Sequence, residues 1–325
     1  MTDNGQDTVV TNLKDEKRKY HLPETAALAV FLILEVVFFS VSSPYFMTWP
    51  NWVNIITALS VAGILAASGT ILLIAGQFDL SVGSGTAFVA LMFALSAQYM
   101  GIVPALGVAL AVGTLIGALN GFLVNVVGVN ALITTLGTLA IFRGLTLSIG
   151  GASSVRVTGF DWAIMRPVFD IPLSALLFVA VAIIAHVLLT RTVFGRNIYA
   201  IGANETAARL VGIKTKRVLF LAFVGSGLCM TLTGLVSASQ LGSTSGTTGV
   251  GLELAVVTAI ILGGTSLKGG VGSMFGSLLG LLIVGVLNNG MTLMNINSTW
   301  QQVAAGILLI LAVSFDQLRQ RLIRK

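Results

Sequence analysis

Apolar runs long enough to cross a bilayer recur along the chain with short polar punctuation between them, and their spacing predicts about ten transmembrane helices. The first covers about Thr25–Val41, with Glu35 inside it. A carboxylate is costly in lipid, so Glu35 is expected to turn toward protein. Ser43-Pro44 stops that run, and Trp49, Pro50 and Trp52 read as an interfacial anchor. A second run, Ile55–Gly76, breaks at Gln77–Gly85, a polar and glycine-rich stretch, before apolar sequence resumes to Tyr99. Irregular backbone at membrane depth survives only where protein buries it or water reaches it. Asp79 in that break can cap the following helix or line a pathway.

Further runs follow at Ile102–Val126, Ala131–Ile149, Pro172–Thr190 and Val218–Ser239, with a polar segment at Gly150–Ile171. Gly242–Gly251 is too flexible to be a span, and the apolar piece after it, Leu252–Leu262, is short. Gly263–Gly270 then turns the chain into runs at Val271–Asn289 and Trp300–Phe315. The fold class expected is therefore all-α, a polytopic membrane bundle with broken helices. Its transmembrane domain covers residues 25–317, between polar tails at 1–24 and 318–325. The N-terminal tail lacks the short apolar core and small-residue cleavage site of a signal peptide.

Two halves of the chain look alike. Glycines recur four apart at Gly113, Gly117 and Gly121 and again at Gly272, Gly276 and Gly280, a spacing that lets another helix approach closely. Leu119-Asn120 and Leu287-Asn288 also correspond. The glycines imply an offset of 159 residues and the Leu-Asn pairs one of 168, so the register stays open. If runs two to five match runs seven to ten, the halves have opposite orientation, an arrangement that builds substrate pathways from discontinuous helices.

The longest polar interruption, Arg191–Arg217, carries six basic residues, Arg191, Arg196, Arg209, Lys214, Lys216 and Arg217. It also holds a short helix signal over Asn204–Ile213. Asn204 can cap it, Glu205 suits its first turn and pairs with Arg209 four residues on, and Gly212 can end it. Ala207, Leu210 and Val211 share one face, which makes the element either a docking helix or a loop that only sets topology.

Composition fits the bilayer, at 55% hydrophobic and 9% charged. The net charge of +6 invites a nucleic-acid reading, but the basic residues sit between apolar runs. A ten-span threading puts 15 of the 18 on one side: four at 14–19, six in 191–217, Lys268, and four from Arg319 onward. Only Arg143, Arg156 and Arg166 fall elsewhere. By the positive-inside rule that side, with both termini, is the cytoplasm and the membrane is the cytoplasmic one.

Chemistry narrows the function further. No Gly-x-x-x-x-Gly-Lys-Ser/Thr is present to hold ATP, and His21, His186 and the single Cys229 offer no metal-ligand spacing. No metal or cofactor site is expected, and an enzyme is not: Ser153 and His186, the tempting serine-protease pair, fall on opposite sides of the threading. Candidates along a pathway are Gln77, Asp79, Asn120, Asn125, Glu253, Asn288 and Asn289, chosen for polarity and location.

Four separated motifs then resemble a family. They are Phe194-Gly-Arg-Asn-Ile-Tyr-Ala-Ile-Gly-Ala-Asn204 running on to Gly212-Ile213, Asp79-Leu-Ser-Val-Gly-Ser84, Thr135-Leu-Gly-Thr with Arg143-Gly144, and Gly263-Gly-Thr-Ser-Leu-Lys-Gly-Gly-Val-Gly272 with Gly285-Val-Leu-Asn-Asn-Gly290. Together they resemble the permease subunits of ABC importers for ribose, xylose, arabinose and galactose. Branched-chain amino-acid permeases share a similar central loop, and the Asp79 and Gly263 motifs favour the sugar branch. Gln77-Phe78 stands where the family often has Gly-Ile, and Ala203 where it often has Gly.

The resemblance implies a homodimeric membrane subunit that takes a monosaccharide from an extracytoplasmic binding protein. A separate ABC ATPase subunit, holding ATP and Mg, would drive it. Gly202, Asn204, Glu205, Ala207, Ala208, Arg209, Leu210, Gly212 and Ile213 would then form the coupling element against that ATPase. The rivals are an ion-coupled secondary transporter with inverted repeats, a permease for another small polar solute, and a purely structural membrane protein that the broken helices disfavour.

Overall fold

The computed structural model describes residues 24–151 and 153–323. The N-terminal tail, apart from Glu24, and the last two residues of the C-terminal tail lie outside the described residues. Twelve α-helices account for about three quarters of the described chain. They are α1 (Glu24–Ser42), α2 (Trp49–Ile74), α3 (Val82–Met100), α4 (Ile102–Phe122), α5 (Ala131–Gly150), α6 (Leu173–Arg191), α7 (Val193–Ala203), α8 (Glu205–Leu210), α9 (Thr215–Leu241), α10 (Leu252–Leu262), α11 (Met274–Leu293) and α12 (Ser298–Ile323). Seven of them are long and apolar enough to cross a membrane: α2, α3, α4 with the turn that follows it, α5, α6, α9 and α11. α1 carries a shorter apolar stretch, Leu28–Ser42, and α10 is apolar but only 11 residues long. At about 1.5 Å per residue α10 covers roughly half of a 30 Å hydrocarbon core. The molecule is an all-α polytopic bundle.

Several boundaries differ from the sequence expectation for local reasons. α2 begins at Trp49, so the expected anchor Trp49, Pro50 and Trp52 forms its first turn. Pro50 sits at the start of the helix, where its missing N–H costs nothing. The break before α3 is shorter than Gln77–Gly85, because α3 already includes Gly83 and Gly85. α12 runs on to Ile323, past the expected stop at Phe315. A helix need not end where the lipid does. After α4 the chain widens into a π-helical turn, Leu123–Val127. There the Asn125 side chain donates to the Gly121 carbonyl at 2.8 Å, competing with the helix ladder.

Helices α2–α5 and α9–α12 form two equivalent quartets. Their members begin 166, 170, 172 and 167 residues apart, at Trp49 and Thr215, Val82 and Leu252, Ile102 and Met274, Ala131 and Ser298. The packing repeats as well. α4 lies on α9 as α11 lies on α2, α3 lies on α9 as α10 lies on α2, and α3 holds α4 and α5 as α10 holds α11 and α12. The offset of 168 is therefore the right register. Gly117 abuts Gly227 of α9, and Gly285, 168 residues further on, abuts Leu59 of α2, 168 residues before Gly227. The 159 offset fails because the two glycine stripes face different partners. Gly113 and Gly117 pack on α9, whereas Gly276 and Gly280 pack on Gly263 and Ala259 at the end of α10.

The C-terminal end of α2 and the N-terminal end of α9 reach the same face, the one that carries the basic 191–217 stretch. Ile74 bonds the turn that α7 touches, and Thr215 bonds Glu205 of α8. Equivalent helices thus run in opposite directions, and the repeat is inverted. On the opposite face a two-residue pair of strands, β1 (Val155–Arg156) and β2 (Ser243–Thr244), ties the α5–α6 segment to the end of α9.

Candidate functional site

The basic face carries the first half of the site. Arg191–Arg217 holds two helices rather than one. The sequence reading missed α7 because Gly195 and Gly202 lower its helix propensity and the run is short. Its signal was amphipathic: Phe194, Ile198 and Ile201 fall three and four apart, and Ile198 and Ile201 are buried. Thr192 caps it, accepting from the Gly195 amide at 3.2 Å.

One residue, Asn204, separates α7 from α8 and caps the latter through its side-chain oxygen, which accepts from the Ala207 amide at 3.0 Å. α8 is six residues, shorter than the two turns expected, and Gly212 (φ +88°) ends it in the left-handed conformation glycine tolerates. The Ile213 amide returns to the Ala208 carbonyl at 3.0 Å. Glu205 accepts from Arg209 at 2.8 Å and from Thr215 of α9 at 3.2 Å, so α8 is fixed to the bundle at its polar edge. Ala208 is buried, while Ala207 faces outward with Leu210 and Val211, which are 84% and 79% exposed. Ala207, Leu210 and Val211 thus form an exposed apolar face that nothing else in the described chain covers.

Inside the bundle, the two broken segments come from opposite faces and meet. Gly83, in the first turn of α3, lies against the Gly249 carbonyl and the Glu253 carboxylate at the start of α10, closely enough that a Cβ would overlap both. Glu253 accepts from the Gly251 amide at 3.3 Å through one oxygen, and the other is buried without a partner. Arg143 of α5 holds the loop before α10. One of its terminal nitrogens donates to the Gly246 and Thr248 carbonyls, each at 2.8 Å. Sequence reasoning counted Arg143 as a charge on the wrong side and as part of a motif, and gave it no role. The available signal was its isolation within an apolar span, which marks a residue with a fixed partner.

The polar pathway candidates divide by what their side chains do. Asp79 is only 8% exposed and does not cap α3 in the ordinary way. One oxygen accepts from the Ser81 hydroxyl at 2.6 Å and its amide at 3.1 Å, the other from Ser226 of α9 at 2.7 Å. Asn120 of α4 donates to the Ser81 hydroxyl at 2.9 Å, which extends the chain of bonds from the break and α9 to α4. Asn289 and Asn51 exchange amide hydrogen bonds of 2.9 and 3.0 Å between α11 and α2. Asn125 bonds its own helix, as above. Gln77 and Asn288 are half-buried and make no side-chain hydrogen bond within the described chain. Glu35 is buried where α1 packs on α11, with one carboxylate oxygen unpartnered. Among the described residues no group of His, Cys, Asp and Glu could hold a metal ion.

Comparison with known proteins agrees over the same span. The sequence profile described as branched-chain amino acid transport system / permease component matches residues 51–313. The D-allose transport system permease protein AlsC of Escherichia coli K12 is 38% identical over 296 residues, 89% of this chain and 90% of its own length. The ribose import permease protein RbsC of the same strain is 36% identical over 93% of this chain and 96% of its own length. The L-arabinose transport system permease protein AraH is 37% identical over 90% of each. No solved structure matches the chain significantly.

Proposed function

Because the chain belongs to the permease-component family of ABC transport systems, among sugar permeases of the ribose, allose and arabinose type, we propose that it imports a monosaccharide across the cytoplasmic membrane. In this reading ATP, with Mg, is bound and hydrolysed by a separate ABC ATPase subunit. An extracytoplasmic binding protein delivers the sugar, and two copies of the chain work together. The basic face is the cytoplasmic one. The profile's description extends to amino-acid transport, and the sugars printed in the relatives' names favour a sugar as cargo.

The observation that carries the proposal is the exposed Ala207, Leu210 and Val211 face of α8, braced by Glu205 on α9. A rigid apolar step of this kind can enter a cleft of the ATPase, with Asn204, Ala208, Arg209, Gly212 and Ile213 shaping or supporting it, while Gly202 packs behind it against Ile74 and Gly270. Closure of the ATPase pair would then move α8, and the bundle would open alternately to either side. Gln77, Asn120, Asn288 and Glu253, whose side chains keep polar atoms without a partner inside the chain, offer them to the sugar. Asp79, Asn120, Asn125 and Asn289 hold the wall of the pathway through their bonds.

Reconstitution tests this directly. In liposomes the chain with its ATPase and sugar-loaded binding protein should accumulate sugar on ATP, and the chain alone should neither hydrolyse ATP nor accumulate sugar. Accumulation by the chain alone on a proton or sodium gradient would establish a secondary transporter instead.

A further inference from the structure

Three separate stretches of backbone come into contact at the last turn of α7. Gly202 lies so close to the Ile74 carbonyl and the Gly270 amide that a Cβ at that position would overlap both. The Gly270 amide in turn donates to the Ile74 carbonyl at 2.8 Å. Gly269 and Gly270, in the left-handed region at φ +82° and +76°, bring the turn before α11 against Gly76 and Ala203. One helical turn earlier, the Tyr199 hydroxyl donates to the Gly272 carbonyl at 2.8 Å. Long side chains can swing and let two elements slip. Backbone packed on backbone cannot, and whatever moves one stretch here moves the other two.

Each stretch leads somewhere that matters for a pathway. Ile74–Gly76 ends α2 and runs directly into the break at Asp79 and then α3. The 263–272 turn joins the half-length helix α10 to α11. The far ends of these same two segments meet again where Gly83 abuts the Gly249 carbonyl and the Glu253 carboxylate. α7 therefore grips both broken segments at one end, and they bear on each other at the other. On its own far side α7 is joined to α8 through Asn204 alone.

From this arrangement we infer that the Tyr199–Gly202–Gly270 junction passes movement of α8 to both broken segments at once, so that Tyr199 and Gly202 are positioning residues for transport and not part of the ATPase-docking surface. The inference rests on the reading of α8 as the coupling element. It separates two properties that the coupling loop would otherwise share: holding the ATPase, and converting its closure into movement of the pathway.

The test uses the assembled permease–ATPase complex with sugar-loaded binding protein, comparing Gly202→Ala, Tyr199→Phe and Ala207→Glu. Gly202→Ala should co-purify with the ATPase at the wild-type ratio and keep basal hydrolysis. Binding-protein-stimulated hydrolysis and uptake should both fall more than about tenfold, from overpacking at the junction. Tyr199→Phe deletes a single hydrogen bond and should lower the same two rates about fivefold with complex yield unchanged. Ala207→Glu should fail to hold the ATPase at all.

If Ala207→Glu fails while Gly202→Ala and Tyr199→Phe transport at the wild-type rate, the junction inference is wrong and the coupling reading stands. If Gly202→Ala or Tyr199→Phe loses the ATPase as well, the junction merely shapes the docking surface and the inference is again wrong. If all three variants bind and transport normally, the coupling reading itself fails. Should Gly202→Ala not reach the membrane, Tyr199→Phe, which adds no atom, decides the matter alone.

Discussion

The Ser226 hydroxyl donates to the Asp79 carboxylate at 2.7 Å, joining the break between α2 and α3 to the middle of α9. Both groups are buried, so each depends on the other for its hydrogen bonding. Ser226→Ala removes one bond to a carboxylate and should cost about 1.5–3 kcal/mol. Asp79→Ala strands the Ser81 and Ser226 hydroxyls together and should cost more. In purified protein both substitutions should lower the melting temperature, Asp79→Ala further, and reduce uptake of every transported sugar in proportion. A change in relative sugar preference without loss of stability would make Asp79 a substrate contact.

Close approach of α4 to α9 depends on missing side chains. Gly117 lies against the Phe223 carbonyl and the Gly227 backbone, and Gly227 against the Gly113 carbonyl, with no room for a Cβ at either. Without a hydrophobic drive between helices in lipid, this contact area holds the pair together. Gly227→Leu should therefore force the helices apart and yield aggregated or degraded protein. Gly107→Ala, on the same α4 where nothing lies within 4 Å, should leave expression and melting unchanged. Size-exclusion profiles of the two variants check the contrast.

Sidedness follows from the junction described above. Gly270 packs on Ala203, so Lys268 shares a face with the basic 191–217 stretch. Asp161, near β1 and the start of α6, lies at the other. Single cysteines at Lys268 and Asp161 in a Cys229→Ser background should react with an impermeant maleimide from opposite sides of sealed vesicles. Labelling of both from one side would refute the inverted repeat.

How much of this was legible beforehand differs by element. Hydropathy located α1, α5, α6 and α10 to within a residue or two, because a lipid-facing or buried span has to be apolar throughout its length. α7 escaped, since its helix is held by Gly195 and Gly202 packing on neighbours and not by propensity. The inverted repeat was visible, but its register was not. Glycine stripes recur wherever helices touch, and those of α4 and α11 touch different partners. The Leu-Asn pairs gave the right offset. For the pathway, chemistry alone named Asp79 and Asn120 beside Gln77 and Asn288. Residue type does not say where a side chain points, and the first two turned out to bond the bundle. Arg143 stood out only by its isolation in an apolar span and Tyr199 not at all, because their partners are backbone carbonyls distant in sequence.

The proposed coupling element, α8, can be damaged in two ways that the structure distinguishes. Ala207 is on the outward face and Ala208 is buried, its amide donating to the Asn204 carbonyl at 2.9 Å. Ala208→Pro removes that donor and drives a ring against the same carbonyl, costing about 3 kcal/mol within α8. The spans satisfy their own backbone groups, so membrane insertion should survive. Ala207→Glu keeps helix propensity and adds a charge to the face of Leu210 and Val211. Both variants should reach the membrane at wild-type levels, fail to retain the ATPase on purification, and import no sugar. Their reasons differ: one lacks the helix and the other its apolar surface. Ala207→Ser, which is small and uncharged, should therefore restore ATPase binding where Ala207→Glu loses it. A solvated loop that merely sets topology would accept the glutamate without consequence, so wild-type uptake by Ala207→Glu at matched expression would dismiss α8 as a docking element.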